Sequence, residues 1–311
     1  MKICILHRPN AMSGGDWVAL TGYGAGLRDH GVEVDLRSAN DIGSLKDFDY
    51  VHLWAACSPD WGLPAAREAK RQGKKLIITP FWWSRDKRQE FYGRKGLDLV
   101  EGYTPAVAET LKLADALFTV TRSEAEQCLM LAPDATCLIV PVGIDNPIQA
   151  GPEPDHYILC VGRIEPHKNQ HSLAAACNQL GHRLVLLGQT MSEGYTDLVR
   201  DKGGWVVDLR EGGDLLKAQL LARARVHALP SFFENPGLVH MESLAAGVPS
   251  VMGSWGTEPE FFSGLGQFCD PSSVNSIAEA IEIAWKLKRV RPAIFKTWSE
   301  VAEIALKWMR S

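Results

Sequence analysis

Two glutamates, Glu234 and Glu242, sit in the run Leu229-Pro230-Ser231-Phe232-Phe233-Glu234-Asn235-Pro236-Gly237-Leu238-Val239-His240-Met241-Glu242. A strand ends at Pro230, a loop carries Glu234, and Pro236 suits the first position of a helix, where its missing N–H would be unpaired anyway. Glu242 then falls within that helix, which places the two carboxylates roughly 10–12 Å apart at about 1.5 Å rise per residue. That exceeds the roughly 5–5.5 Å of two carboxylates that work on one acetal carbon from opposite sides. The spacing suits the two ends of one long ligand, each carboxylate accepting from hydroxyls. Between them Asn235, Pro236, Gly237 and Leu238 form a helix start whose free N–H groups and positive dipole end attract an anion. As an isolated pair, the glutamates read equally as a loop residue and a solvated helix residue.

A second anion-type constellation is Val161-Gly162-Arg163-Ile164-Glu165-Pro166-His167-Lys168-Asn169, which leaves a strand at Gly162 and enters a helix near Lys168. The planar fork of Arg163 and the point charge of Lys168 can clamp a diphosphate together. Taken by itself it is also compatible with a solvated surface. Gly14 and Gly15 follow the first strand and, without Cβ atoms, allow backbone N–H groups to approach phosphate closely, or simply make a turn.

These residues need rigid elements to hold them. Short β-branched runs at 3–6, 32–36, 50–54, 76–79, 116–121 and 137–140 alternate with helix-length segments, the pattern of a parallel sheet with crossover helices. A Pro- and Gly-containing stretch over 146–154 reads as a linker. A second strand series follows at 157–161, 183–187, 205–209, 226–229 and 250–252. The expectation is therefore α/β, with two Rossmann-like doubly wound domains facing a cleft: 1–148, 149–295, and a final helix over 296–311. In that helix Thr297 and Glu300 form a capping box, and Trp298, Val301, Ala302, Ala305, Trp308 and Met309 make an apolar stripe. The stripe needs a surface, and the first domain is the expected one.

Together these motifs resemble glycosyltransferase family 4 of the GT-B superfamily. The resemblance rests on the Gly162-Arg163…Lys168-Asn169 clamp, the glutamate pair, the Ala245-Ala246-Gly247-Val248-Pro249 turn and the Thr297-Trp298 helix start. Ser13-Gly14-Gly15, Thr121-Arg122-Ser123-Glu124 and Pro141-Val142-Gly143-Ile144-Asp145 match as well. It implies a retaining, metal-independent hexosyltransferase using a UDP-, GDP- or ADP-sugar, with no cofactor, and a glycan, lipid-linked or small-molecule hydroxyl acceptor. Arg163 and Lys168 would stabilise the leaving diphosphate, Glu234 would position the sugar and Glu242 would hold the ribose. Leu209 and Arg210 are placed like the family's base-contacting loop. Many relatives have a histidine after the fourth strand, where this chain reads Ile78-Thr79-Pro80-Phe81-Trp82-Trp83. His52 nearby reads as a structural, half-buried residue. Trp82, Trp83 and Arg85 are candidates for acceptor contact, with core packing the equal alternative for the tryptophans. The basic run 84–95 reads as a solvated helix before an acceptor or anionic-membrane surface. An epimerase or hydrolase of the same fold, and a sugar-nucleotide-binding protein without catalysis, are the competing functions.

Composition narrows the classes further. At 311 residues, 46% hydrophobic and 23% charged, the chain has material for two cores. A formal net charge of -4 offers no surplus of cations for nucleic acid. Seven cysteines without a C-x-x-C pair read as buried thiols rather than a disulfide framework. The first residues are too short an apolar run for a signal or membrane span. A cytoplasmic protein is expected, with at most weak peripheral contact at the inner membrane face.

Overall fold

The computed structural model describes residues 1–9, 14–58, 60–82, 103–145, 148, 153–289 and 295–311. They form two compact units, Met1–Asp145 with Lys296–Ser311, and Asn146–Phe295.

In the first unit, β1 (Lys2–His7), α1 (Gly15–Asp29), β2 (Glu33–Ser38), β3 (Tyr50–Trp54), α2 (Gly62–Arg71), β4 (Lys75–Thr79), α3 (Tyr103–Lys112), β5 (Ala116–Thr119), α4 (Arg122–Leu131) and β6 (Cys137–Ile139) alternate along the chain. The strands are all parallel, in the order β2-β1-β3-β4-β5-β6. All five residues of β3 are buried, as expected for a strand covered on both faces. The sheet order reverses between β1 and β3, where chain ends leaving the strands part and leave room for a ligand.

The last helix, named α11 in chain order (Trp298–Met309), belongs to this unit and packs on α1. Its capping box is complete, Thr297 accepting from the Glu300 backbone while the Glu300 carboxylate accepts from the Thr297 backbone. Two glycines of α1 make the close approach possible. A Cβ on Gly22 would lie 2.3 Å from the Trp298 indole nitrogen, and one on Gly26 would lie 2.2 Å from the Trp298 carbonyl oxygen. His30 Nε2 lies 2.9 Å from the Ser299 carbonyl oxygen, and the Tyr50 hydroxyl donates to the Met309 carbonyl at 2.6 Å. Gly26→Val should destabilise the unit by about 3 kcal/mol, since the clash is with backbone that cannot rotate away. Denaturant unfolding of the full chain checks this; Gly194, whose Cβ would meet nothing within 4 Å, is the control position, and Gly194→Ala should be neutral or slightly stabilising.

The second unit contains β7 (Tyr157–Val161), a 3₁₀ turn (Pro166–Lys168), α5 (Gln170–Leu180), β8 (Arg183–Leu187), α6 (Glu193–Gly203), β9 (Val207–Arg210), α7 (Asp214–Arg223), β10 (Val226–Leu229), α8 (Leu238–Ala245), β11 (Ser250–Gly253), α9 (Glu258–Phe261), β12 (Gln267–Cys269) and α10 (Val274–Lys286). Its parallel sheet runs β12-β11-β10-β7-β8-β9. The order reverses between β7 and β10, whose Ile158 and Leu159 pair with Val226 and His227. The expected strand at 205–209 is corrected to Val207–Arg210, because Gly204 takes a positive φ of 55° and the chain first makes a 3₁₀ turn over Gly204–Val206. Strand β12 was not anticipated: three residues are too few to show a period. The seven cysteines form no disulfide, and six of them are buried. Among the described residues, no helix is long and apolar enough to cross a membrane.

Candidate functional site

Both sequence motifs of the second unit leave the carboxyl ends of the two strands that flank its point of reversal, β7 and β10. That is where open α/β sheets bind ligands. Asn169 joins the two segments. It adopts a left-handed φ of 60°, is completely buried, and donates from Nδ2 to the carbonyls of Pro230 at 3.0 Å and Pro271 at 2.7 Å. The backbone N–H of Phe232 donates to the His167 carbonyl at 2.9 Å, and the rings of His167 and Phe233 stack with centroids 5.5 Å apart.

This cross-bracing brings Lys168 against Glu234, ammonium to Oε1, and the Ser231 hydroxyl donates to the same oxygen at 2.7 Å. Only 15% of the lysine side chain and 12% of the glutamate side chain reach solvent. Burial works against ionising Glu234, but Lys168, with His167 and Ser231, holds its carboxyl below the usual range. The Glu234 carbonyl accepts from the Thr257 N–H at 3.2 Å and the Thr257 hydroxyl at 3.3 Å. Beside it, Glu258 is completely buried; burial first, and the Glu234 charge next, push its carboxyl well above the ordinary value, so it keeps its proton.

Arg163 pairs with Glu165 at 2.9 Å and leaves 47% of its side chain exposed. Glu242 lies in α8 as expected, and Oε1 is 2.7 Å from Lys217 of α7, itself 3.3 Å from Asp214. Burial opposes the charge on Lys217, but Glu242 and then Asp214 raise its pKa above the ordinary value. Lys217 was not singled out in the sequence, because its role depends on a partner in another helix. Leu209 packs on the core of the second unit, and Arg210 forks onto Asp208 at 3.2 and 2.7 Å.

Three expectations, on Pro236, Trp82 and His52, are corrected. Pro236 is not at the first helical position: it follows a cis peptide bond with Asn235, and α8 begins only at Leu238, after Gly237 at φ 89°. The helix expected near Lys168 is found there: Lys168 ends a 3₁₀ turn, and α5 starts just beyond the left-handed Asn169. Trp82 offers no open stacking face: it is 2% exposed within the core of the first unit, and its backbone N–H donates to Glu124 at 2.7 Å. Trp83 and Arg85, with the basic run 84–95, lie outside the described residues. His52 is fully rather than half-buried, with Nε2 2.8 Å from the Thr79 hydroxyl, and burial lowers its pKa to about 3. In the same unit, Gly14 takes φ 93° and caps α1, of which Gly15 is the first residue.

A buried pair of imidazoles links α8, which carries His240, to β10, which carries His227. The Nδ1 atoms of His227 and His240 both sit 3.0 Å from the Ser250 hydroxyl. Burial, with the neighbouring His240 second, holds His227 well below the ordinary value; burial and then Lys168 lower His240 to about 3. Among the described residues no group of three or more His, Cys, Asp or Glu side chains is placed to hold a metal ion.

Residues 144–296 match the family model described as Glycosyl transferases group 1. A D-inositol 3-phosphate glycosyltransferase of Mycobacteroides abscessus is 28% identical over 240 residues, covering 68% of this chain and 51% of that protein. The chain spans about a third to a half of the length of the curated relatives it matches. Sucrose-phosphate synthase from Thermosynechococcus elongatus superposes with a TM-score of 0.79 at 17% identity, over 99% of this chain and 98% of that one. Anabaena HepE in complex with UDP-glucose gives 0.78 at 14% identity over the whole of both chains. The chain thus has the GT-B fold of two Rossmann-like units, and its residues 144–296 carry the match to the group 1 glycosyl transferases.

Proposed function

We propose that the chain is a retaining glycosyltransferase of family 4, which moves a hexosyl unit from a nucleotide-diphosphate sugar to a hydroxyl acceptor without a metal. The observation that carries this reading is the buried Lys168–Glu234 pair at the carboxyl ends of β7 and β10. Breaking the bond from sugar to diphosphate loads negative charge on the leaving oxygens and positive character on the sugar ring. A preorganised cation stabilises the first, and an adjacent ionised carboxylate suits the second. In this reading Lys168 and the more exposed Arg163 hold the diphosphate, Glu234 orients the sugar, and Glu242, backed by Lys217, takes the ribose hydroxyls. Leu209 and Arg210 lie toward the base. The acceptor hydroxyl attacks from the face the diphosphate leaves, and a phosphate oxygen takes its proton. The group 1 match over 144–296 and the UDP-glucose held by Anabaena HepE support a nucleotide-sugar donor.

A thermal-shift screen of UDP-, GDP- and ADP-sugars tests the donor. One base should raise the melting temperature of the second unit, by about 2.7 kcal/mol of added stability at a hundredfold excess over its dissociation constant. NMR of the product should show the donor's anomeric configuration kept. No stabilisation by any of the three would overturn the reading. Rapid conversion of donor without acceptor would mark an epimerase or hydrolase, and tight binding with no transfer to a broad acceptor panel would mark a binding protein.

A further inference from the structure

We propose that Glu258 is a further positioning residue for the transfer, acting through the loop that carries Glu234; this rests on the transferase reading above. The loop is Glu234-Asn235-Pro236-Gly237, and the segment behind it is Thr257-Glu258 at the start of α9. Thr257 ties the two together. Its N–H donates to the Glu234 carbonyl at 3.2 Å, and its hydroxyl lies 3.3 Å from that oxygen and 3.2 Å from Asn235 Oδ1.

Glu258, one residue further, is completely buried, and neither of its carboxyl oxygens has a hydrogen-bond partner among the described residues. The fold itself does not need a carboxyl there. Only the Glu258 backbone closes α9, its carbonyl accepting from the Phe262 N–H at 2.8 Å. A leucine or methionine would fill the space at less cost, since an unpaired buried polar group forfeits its hydration. The Asn235 amide nitrogen is buried without a partner as well. A donor on the loop and acceptors on the segment behind it are chemically complementary. On its other side the loop is closely packed: a Cβ on Gly237 would lie 2.9 Å from His240 Cδ2 and 3.3 Å from Glu234 Cγ. Pairing of the Asn235 amide with the Glu258 carboxyl holds the loop in place when a sugar settles against Glu234.

The charged groups acting on the Glu258 carboxyl are Glu234, in the loop after β10, and Lys168, in the turn after β7. Cys269 of β12 is a further titratable neighbour. Burial first, and Glu234 next, keep Glu258 protonated. A neutral acid supports the loop without drawing Lys168 away from Glu234, whereas a second carboxylate would compete for the same ammonium. The role is one that an amide of the same shape can fill and an apolar side chain cannot.

Isothermal titration calorimetry of the full chain with UDP, GDP and ADP, and with UDP-glucose, GDP-mannose and ADP-glucose, tests the assignment. The ratio of the two affinities for one base isolates the sugar end of the donor. Glu258→Leu should bind the bare nucleotide as the wild-type chain does and the intact sugar nucleotide about tenfold more weakly. Glu258→Gln should recover that loss. Asn235→Ala should show the same loss as Glu258→Leu, and the double variant no more than either. A merely structural side chain would leave the ratio unmoved in every variant, and that result would overturn the inference, as would an equal loss in Glu258→Gln. These outcomes leave the donor reading standing, because the wild-type chain still binds its sugar nucleotide. If the wild-type chain binds none of the six compounds, the donor reading falls and the role of Glu258 with it.

Discussion

Replacing Lys168 with alanine should lower transfer by a thousandfold or more while leaving the nucleotide able to bind through the Glu242 side of the site. The loss should fall mainly on kcat, because charge on the leaving diphosphate grows on the way to the transition state and the ammonium is worth most there. A second consequence comes from the pairing itself. Glu234 keeps its charge in a nearly dry position chiefly because Lys168 is beside it, and removing one partner of a buried pair typically costs about 3–5 kcal/mol. The variant should therefore also unfold earlier, and the double variant Lys168→Met/Glu234→Leu should recover much of that stability without recovering activity. Lys168→Arg should rescue folding better than turnover, since a planar fork does not occupy the place of a compact ammonium. Turnover with donor and acceptor, beside denaturant unfolding of the same variants, reads both effects.

The second large effect is loss of stability in mild acid. His52 in the first unit and His227 and His240 in the second are fully buried, and burial holds all three pKa values below the unfolded value of about 6.5. Between the folded and unfolded values the unfolded chain binds more protons, so stability falls as pH drops from about 6.5 toward about 3. Each group contributes up to about 1.4 kcal/mol per pH unit in that window. Glu234, held low, loses its contribution below the usual carboxylate range and adds to the decline. Glu258 acts in the opposite sense: its raised pKa makes its contribution full in acid and lost as pH rises. Melting curves from pH 7.5 to 4.5 should show a steep fall, made shallower by His52→Asn. Glu258→Gln should stabilise the second unit at pH 7.5 and have little effect at pH 4.5. A flat profile in the wild-type chain would contradict the neutral buried imidazoles.

The elements were legible because their signals are local. Thr297 and Glu300 stand three apart and cap α11 as their spacing requires, and the alternation of buried strands with helices marks two parallel sheets before any contact is known. The site was legible only as a set of residue types. Lys168 and Glu234 are 66 positions apart, and Lys217 and Glu242 are 25 apart; no period or cap connects them, and only the crossing of β7 beside β10 or of α7 beside α8 makes them partners. Pro236 misled because proline favours both a helix start and a cis turn, and the choice depends on how Gly237 and the Thr257 loop pack around it. Trp82 misled for a related reason: an aromatic pair after a strand is consistent with either a stacking face or a core plug, and the carboxylate of Glu124, reached from α4, draws its backbone into the core.

A crystal structure of the full chain soaked with an intact nucleotide sugar tests the central claim most directly. The diphosphate should lie on Lys168 and Arg163, the hexose against Glu234 and the ribose hydroxyls on Glu242. A nucleotide bound elsewhere, with the Lys168–Glu234 pair untouched, would contradict it.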